Sequence, residues 1–550
     1  MGGNRFSLLI IVLIVPFYFL GSILGHTANQ APDTVTFSKD VAPILYRHCV
    51  ECHRPGDIAP MPLVTYQNAQ PYAQLIKEKV NTGEMPPWHA DPHYGQFANE
   101  RKLSDEEIKT LTDWFKQGAP EGNKRDLPLM PAFSERWKIG TPDTVYKMAR
   151  EHTLGTDAAD TYVYFRIPTN FKEDKWVQAV EFRPGNRQVV HHAVAFIETP
   201  EQFAATRNSN SSEKTVDSTW SLLDSKPSAL ELMEGTTRRI KPDAKVVNDG
   251  CSASDVEAVS TGSSNTVLSV YAPGRGVDAW PAGTAKKIPA NSNLILQMHY
   301  SKAAGEKASD LTSVALVFAK APVEKMVASR SINNVLFEIP ARAGNHKVTA
   351  CWDVGRDIQL LSFMPHMHVR GKSMRYEVAY ADGRRETVLF VPHYSFHWQT
   401  LYALKNPITI PGNSRLIVTA YFDNSEQNMH NPDPSKAIRH GSATFDEMMI
   451  GFVDYVVPKP RERMLTQVDP ALYEAYVGRY EFDSAPVVQH IVKIGNSLYA
   501  ESGGQRVELH PTSESTFTLD KGEAEIIFTK NGEGIVTGFV ITRNEKLFKV

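Results

Sequence analysis

Hydrophobic and polar positions follow three different patterns along the chain. The N-terminus carries one positive charge, Arg5, followed by an unbroken apolar run at residues 6–24. A run that is apolar on all sides at this place is typical of a secretory signal or an uncleaved membrane anchor rather than a core helix. We assign residues 1–30 to this segment. Either form predicts export of the protein body to a periplasmic or extracellular-facing compartment, and the anchor form adds attachment to the inner membrane.

Residues 34–122 carry the spacing of a small helical domain. Its clearest helix begins at Ser104, which is positioned to form a capping box with Glu107. Apolar residues follow at helical spacing, and Gly118 marks the end of the helix.

Beyond a linker at 123–140 the pattern changes to short apolar and alternating runs bounded by turn residues, such as "NLILQMHYS" and "SRLIVTAYFDNS". Many short strands with Gly and Pro between them predict β-sandwiches, which we assign to 140–335 and 336–460. A polar, Ser-rich stretch at 200–265 interrupts the first and predicts a long surface excursion. Residues 466–550 form another short-strand segment, predicted to be a small β-barrel-like module.

Composition narrows the class of protein without identifying it. The chain has 550 residues, 42% hydrophobic and 22% charged, with a formal net charge of −3. These values are ordinary for a globular protein of several domains. The absence of a basic run or basic excess argues against nucleic acid as a partner.

The stretch "HCVECHRPG" contains Cys49, Cys52 and His53 in the C-x-x-C-H arrangement. This arrangement is the attachment signal for c-type haem, in which two thiols add to the haem vinyl groups and the histidine binds the iron. A chance match or a thioredoxin-like pair would not explain His53 directly after the second cysteine. Covalent haem attachment on the exported side of the membrane agrees with the N-terminal segment.

A haem needs a second axial ligand, usually methionine or histidine. Met85 lies on the proline-rich stretch "NTGEMPPWHADPHYG" and is our first choice. His89 and His93 are further candidates, and Met61 is too near His53 to reach the opposite haem face easily.

The remaining cysteines, Cys251 and Cys351, could form a disulfide in an oxidising compartment. Their positions in different regions do not establish contact.

Histidine and methionine recur on apolar β-type segments, where a buried imidazole needs a partner. On a strand, His366 and His368 would point the same way because they are two residues apart. His191 and His192 are adjacent, so they would share one metal only if the strand were distorted; otherwise one faces the core and one the solvent. A thioether beside two histidines favours copper over zinc. The residues concerned lie in "QVVHHAVAF", "LILQMHYS", "MPHMHVRG" and "FDEMMIGF", and are His191, His192, His299, His366, His368, Met448 and Met449.

The order HH, "QMHY", "HMHVRGK" and "DEMM" resembles the copper type II ascorbate-dependent monooxygenases, the family of peptidylglycine α-hydroxylating and dopamine β-monooxygenases. The resemblance covers roughly 140–460 and implies two packed, eight-stranded, jelly-roll-like β-sandwiches with one copper in each. It matches Met449 to a core position and Gln297 to a family glutamine near the first copper. By position, the electron-transfer copper would be held by His191, His192 and His299, and the dioxygen-binding copper by His366, His368 and Met448.

This chain departs from the peptide-amidating members of that family at three substrate-anchoring positions. Met364, Ile450 and Phe452 stand where those enzymes carry polar residues. We therefore expect a small or weakly polar organic substrate rather than a peptide carboxylate.

The two ends of the chain carry resemblances of their own. The helical domain resembles bacterial cytochrome c modules through C-x-x-C-H and "MPPWHADP". The C-terminal module resembles a lipocalin-like β-module through "YVGRY", with a structural role or one as a substrate-side accessory.

The resemblances together imply an exported monooxygenase that inserts one oxygen atom of O₂ into a C–H bond. It would carry two coppers and one haem c, and take electrons from ascorbate or a redox protein, or through its own haem. The alternative is a haem and copper protein that transfers electrons or handles copper without hydroxylase activity. A zinc hydrolase built on the three histidines would lack a nearby carboxylate base and would leave Met448 unexplained.

Overall fold

The computed structural model describes residues 34–133, 137–156, 160–200, 202–203, 219–221, 245–252, 267–272, 275–301, 307–441, 444–458, 468–481, 488–502, 505–519, 524–543 and 546–549. The apolar N-terminal run and most of the polar stretch at 200–265 lie outside these residues. Among the described residues, no helix is both long and apolar enough to cross a membrane.

The N-terminal unit is helical, as its periodicity predicts. In α4, Ser104 Oγ accepts from the Glu107 backbone N–H at 3.2 Å, and the Glu107 carboxylate accepts from the Ser104 N–H at 2.9 Å, which confirms the capping box. Trp114 and Phe37 pack in the centre of the unit. The helices are α1 (Ala42–His48), α2 (Tyr66–Ala69), α3 (Ala73–Asn81) and α4 (Asp105–Lys116), with a π-turn at Phe37–Val41 and 3₁₀ turns at Gln70–Tyr72 and Lys124–Asp126.

The first β-sandwich packs a five-stranded sheet, in the order β6-β3-β10-β5-β7, against β1, β12, β4 and β9. The antiparallel neighbours β5 and β10 carry three of the candidate histidines. Its strands are β1 (Thr144–Lys147), β2 (His152–Leu154), β3 (Asp160–Pro168), β4 (Lys175–Arg183), β5 (Val190–Glu198), β6 (Thr219–Ser221), β7 (Val267–Tyr271), β8 (Asp278–Ala279), β9 (Thr284–Ile288), β10 (Asn293–Ser301), β11 (Ala308–Asp310) and β12 (Ser313–Phe318).

The second β-sandwich packs β15-β20-β17-β18 against β13, β22, β16 and β19. Its strands are β13 (Lys325–Asn333), β14 (Glu338–Ile339), β15 (His346–Val354), β16 (Ile358–His366), β17 (Gly371–Ala379), β18 (Arg385–Val391), β19 (Tyr402–Ile410), β20 (Ser414–Phe422), β21 (Ile438–Arg439) and β22 (Ile450–Pro458).

One sheet runs through both sandwiches. Strand β13 pairs in parallel with β9, where Lys325 lies opposite Thr284, and pairs along its whole length with β22 on its other side. By pairing, β13 groups with the second sandwich, and the sequence-based boundary at 335 lies just after it. The shared sheet fixes the two sandwiches side by side.

The C-terminal module is an eight-stranded antiparallel meander that forms a nearly closed barrel around Tyr476, Phe517 and Phe528. A 3₁₀ turn at Pro470–Tyr476 precedes it. With it, the predicted mainly β architecture is confirmed. Its strands are β23 (Gly478–Glu481), β24 (Val488–Ile494), β25 (Ser497–Ser502), β26 (Gln505–Pro511), β27 (Thr516–Leu519), β28 (Ala524–Lys530), β29 (Val536–Arg543) and β30 (Lys546–Lys549).

An arm of the helical unit, residues 88–99, belongs by packing to the second sandwich. Trp88 and Phe97 are buried in that sandwich's core against Tyr402, with ring centroids 5.0 and 5.5 Å from it. The Ala98 N–H donates to the Ala403 carbonyl at 2.8 Å. The arm therefore fastens the helical unit to the sandwich.

The end of the polar stretch is likewise fixed to the second sandwich. Cys251 and Cys351 form a disulfide, which the sequence left open. Beside it, Thr349 donates its backbone N–H to the Asn248 carbonyl at 2.9 Å and its hydroxyl to Asp249 at 2.5 Å. At residues 245–252 the excursion predicted from the sequence therefore returns and docks on β15.

Candidate metal centre

A β-bulge solves the geometric problem of the adjacent histidines. Along β10, His299 lies opposite His192, but the next residue, Tyr300, lies opposite Val190. His191 is therefore the extra residue of the bulge. A bulge turns its strand locally, so two consecutive side chains can point to one side.

The imidazoles of His191, His192 and His299 converge, and we call them the histidine trio. Their ligand nitrogens all lie within 4.8 Å of one another. His192 Nδ1 lies 3.2 Å from Nδ1 of each of the other two. Tyr162 stacks on His299, with centroids 4.1 Å apart and planes within 4°. Burial holds the pKa of His192 well below its usual value, and the neighbouring imidazoles lower it further, so the ring stays in the neutral form that binds metals.

The second group of candidate ligands lies where two segments of the second sandwich meet. His366 ends β16, His368 follows it, and Met448 precedes β22; all three side chains are buried. The two imidazole centroids are 5.4 Å apart. Burial lowers the pKa of His366 to about 4 and that of His368 to about 3, so both rings are in the neutral, metal-binding form near neutral pH.

Oxygen acceptors orient both rings. His366 Nδ1 lies 3.0 Å from Oε1 of Gln399, and His368 Nδ1 lies 3.3 Å from the Asp446 carbonyl. Because these oxygens only accept, each ring donates from Nδ1 and presents Nε2 as its ligand atom. Gln399 also donates to the Phe396 carbonyl at 3.4 Å, which holds its amide in this orientation.

Glu447 ties the ligand segments together. Its fully buried carboxylate accepts the backbone N–H groups of His368 at 2.8 Å, Arg370 at 2.6 Å and Met448 at 3.2 Å. Burial raises its pKa to about 8, against the lowering effect of these donors and of the Arg370 charge. One side chain thus fixes the segment after His368 to the segment that bears Met448.

His192 of the trio and all three residues of the second group line one cleft between the sandwiches. Their nearest imidazoles, His192 and His366, have centroids 6.5 Å apart. Met364, Ile450 and Phe452 all line this cleft. The remaining lining is mostly apolar and consists of Tyr162, Val194, Val267, Val270, Gln297, His368, Gln399 and Met448.

Sequence reasoning missed Gln399, Glu447 and Phe396. Phe396 lies between the two groups: it stacks on His191 at 5.1 Å and stands edge-on to His368 at 6.0 Å. Glu447 stands next to Met448, yet nothing in "DEMM" shows which backbone groups it binds. Gln297 donates to the Tyr164 hydroxyl at 2.7 Å, and Met449 is fully buried in the core.

The residues of the C-x-x-C-H motif fit a c-type haem on its histidine side. Cys49 and Cys52 are free thiols, and burial raises the pKa of Cys49 to about 12 and that of Cys52 to about 11. His53 Nδ1 lies 3.0 Å from the Met61 carbonyl, which leaves Nε2 as its candidate ligand atom. Met85 is half-buried just before the arm.

The other candidate ligands, His89 and His93, lie on the arm. His93 is exposed and bonded to Asp91 at 2.7 Å.

Comparison with known proteins gives one match that bears on these groups. Residues 339–477 match the profile of the copper type II ascorbate-dependent monooxygenase C-terminal domain. This segment contains His366, His368 and Met448.

Two further kinds of likeness are weaker. The chain is 35% identical over 89 residues to penicillin-binding protein 4* of Bacillus subtilis (strain 168), 16% of this chain and 19% of that protein. It thus spans about a fifth of that curated relative. Among solved structures, the major capsid protein P2 of bacteriophage PM2 is 9% identical, with a TM-score of 0.18 over 55% of this chain and 98% of that chain. The infectious bursal disease virus VP2 subviral particle is 10% identical, with a TM-score of 0.16 over 60% and 75%.

Such low structural scores carry no argument about fold or function. The profile match supports copper as the metal, and O₂, ascorbate and an organic substrate as reactants. It shows that residues 339–477 are similar to the C-terminal domain of the copper type II ascorbate-dependent monooxygenases.

Proposed function

We propose that this protein is an exported monooxygenase that hydroxylates a C–H bond of a small, weakly polar organic substrate with O₂. One observation carries the proposal: His192 of the three-histidine group lines the same mostly apolar cleft as His366, His368 and Met448. A substrate in that cleft would touch both walls.

Different residues would bind the metals, hold the metal ligands in place and position the substrate. The histidine trio would hold one copper and His366, His368 and Met448 the other; bound copper supplies one-electron chemistry and the activation of O₂. The donor set fits, because burial keeps His192, His366 and His368 neutral and the thioether favours Cu(I). Gln399 and Glu447 hold the ligands in place, while the cleft walls exclude water and position the C–H bond.

Met364, Ile450 and Phe452 support the substrate class. Met364 lies opposite Phe452, and His366 opposite Ile450, along the β16·β22 ladder. These apolar side chains therefore stand on the same wall as the second metal group. A carboxylate placed there would lose its hydration without gaining an ion pair, at a cost of several kcal/mol. Glycine-extended peptides should therefore be poor substrates.

The helical unit would supply electrons through a haem held by Cys49, Cys52 and His53, with Met85 as the second axial ligand. Support comes from the position of the motif beside the first sandwich. Arg187 lies 3.9 Å from Asp57, which follows the motif. Burial raises the pKa of Tyr271 on β7, and the charges of Asp57 and Cys52 raise it further against the lowering effect of Arg187.

Tyr271 pairs with Ala193, the residue after His192. The charges of the motif therefore act on β7, the strand next to β5, which carries His191 and His192. Ascorbate or a redox protein would reduce the haem or the copper directly.

Isotope transfer tests the proposal. Copper-loaded protein with ascorbate should transfer ¹⁸O from ¹⁸O₂ into weakly polar organic substrates, and Met448→Leu should abolish the transfer while Met449→Leu, its buried neighbour, keeps it. Both changes roughly preserve volume. A protein that cycles its metals without substrate-dependent O₂ uptake across the panel would instead be the electron-transfer or copper-handling alternative.

A further inference from the structure

A line of imidazoles leads from the protein surface to the histidine trio. The rings of His397 and His430 stand edge to face with centroids 5.8 Å apart, and His397 lies 6.3 Å from His191. His430 and His397 are exposed, His191 is half-buried, and His192 and His299 are buried. The side chains therefore grade from solvent into the candidate metal site.

Met429 stands next to His430 and is 91% exposed. Its side chain has no packing role at that exposure. The turn that presents it is well defined: Asn428 donates to the Asp423 and Val369 carbonyls at 2.9 and 3.2 Å and accepts the His430 N–H at 3.0 Å. A fixed turn thus holds a thioether and an imidazole out in solvent.

The ring spacing suits a shared metal. Metal–nitrogen bonds of about 2.0 Å put two imidazole centroids about 5–6 Å apart. The candidate ligand pairs His191 with His192 and His366 with His368 both show 5.4 Å, close to the 5.8 Å between His397 and His430. Soft thioether together with imidazole selects Cu(I) among the available metal ions.

We propose that Met429, His430 and His397 form an outer capture site for Cu(I), which passes the ion to His191 and so loads the trio. This proposal rests on the assignment of the trio to copper. The transfer is a ligand exchange: a bond from copper to His191 forms as the bond to His430 or Met429 breaks, and the oxidation state does not change. Phe396, stacked on His191 and adjacent to His397, keeps the receiving ring beside the donor.

Loading kinetics test the proposal. Metal-free protein is mixed with limiting Cu(I) in a weak chelator, and transfer is followed by loss of the chelator's absorbance. The double variant Met429→Leu/His430→Ala should load roughly tenfold more slowly, because the ion is then no longer held close to His191 before transfer. It should reach the same final copper content as the unchanged protein, because the trio is intact. His393→Ala, an exposed histidine in the same loop as His397, is the matched control and should load at the normal rate.

Equal loading rates for the double variant and His393→Ala would overturn the proposal. So would a lower final copper content in the double variant, because that would mean the turn supports the trio structurally. The His299→Ala variant, which lacks a complete trio, tests the capture site independently of the proposed function. There a weak Cu(I) equivalent should remain and disappear when Met429→Leu/His430→Ala is added; its absence also overturns the capture site, whatever the trio binds.

Discussion

The two walls of the cleft are built in opposite ways. The trio comes from two neighbouring strands, and a single bulge at His191 brings its rings together. The His/His/Met wall joins two segments distant in sequence, and it depends on the buried Glu447 and on Gln399, from a third segment, to hold them. The first site should therefore survive changes that disable the second.

Glu447→Ala should produce the largest difference in copper retention between the two walls. This change leaves three buried backbone N–H groups without an acceptor, at about 1–3 kcal/mol each. We expect copper to be lost from the His/His/Met wall and the free energy of unfolding to fall by several kcal/mol, while the trio keeps its metal. Urea unfolding and copper analysis measure both effects.

Glu447→Gln keeps one acceptor oxygen and should rescue part of the loss. An unchanged second copper in Glu447→Ala would show that the segments hold themselves in place.

Acid should destabilise the metal-free protein through the buried histidines. The pKa of His366 is lowered from 6.5 to about 4, so the unfolded chain takes up a proton that the folded chain excludes. The contribution of His366 to stability is therefore full above about pH 6.5 and is lost between pH 6.5 and 4. With about 1.4 kcal/mol per pKa unit, this group alone contributes roughly 3 kcal/mol.

Urea unfolding at several pH values in this range should show that the free energy of unfolding depends less steeply on pH in His366→Gln than in the unchanged protein. His93→Gln, which changes an exposed ring, should keep the full slope. Identical slopes in all three proteins would contradict the burial argument.

A smaller effect is expected from Gln399→Leu. Loss of the acceptor for His366 Nδ1 frees the ring to rotate, which typically weakens a metal site 10–100-fold. Copper titration should show this at the His/His/Met wall alone. The matched control is Gln297→Leu, a buried glutamine in the same cleft that binds Tyr164 rather than a ligand; equal losses in both variants would argue against an orienting role.

The smallest effect concerns the contact between the helical unit and the first sandwich. Arg187→Ala removes an ion pair to Asp57 at 3.9 Å and should change stability by less than about 1 kcal/mol. If haem electrons enter at this contact, the reduced haem of the copper-loaded variant should nevertheless be oxidised more slowly in a stopped-flow experiment. Arg479→Ala, in the C-terminal module, is the control, and equal haem oxidation rates would place electron entry elsewhere.

The sequence predicts the elements and the chemistry better than it predicts contacts between distant segments. Strand periodicity and the capping box at Ser104 are local features, so they are visible in the pattern. The bulge at His191 was required by the hypothesis of a shared metal, but it arises from the pairing of β5 with β10. Gln399 and Glu447 reach their partners only through the folded second sandwich, and Cys251 meets Cys351 because the polar stretch returns to β15. No spacing rule encodes these contacts.

The central claim is that two copper sites with different ligands share one cleft. X-ray absorption on the copper-loaded, reduced protein tests it most directly, together with copper and zinc analysis. We predict two coppers per chain, with a sulfur neighbour that persists in Met449→Leu and disappears in Met448→Leu, while nitrogen ligation of the trio is unchanged. Stoichiometric zinc in place of copper under copper-replete conditions, or a sulfur signal indifferent to Met448, would contradict the account.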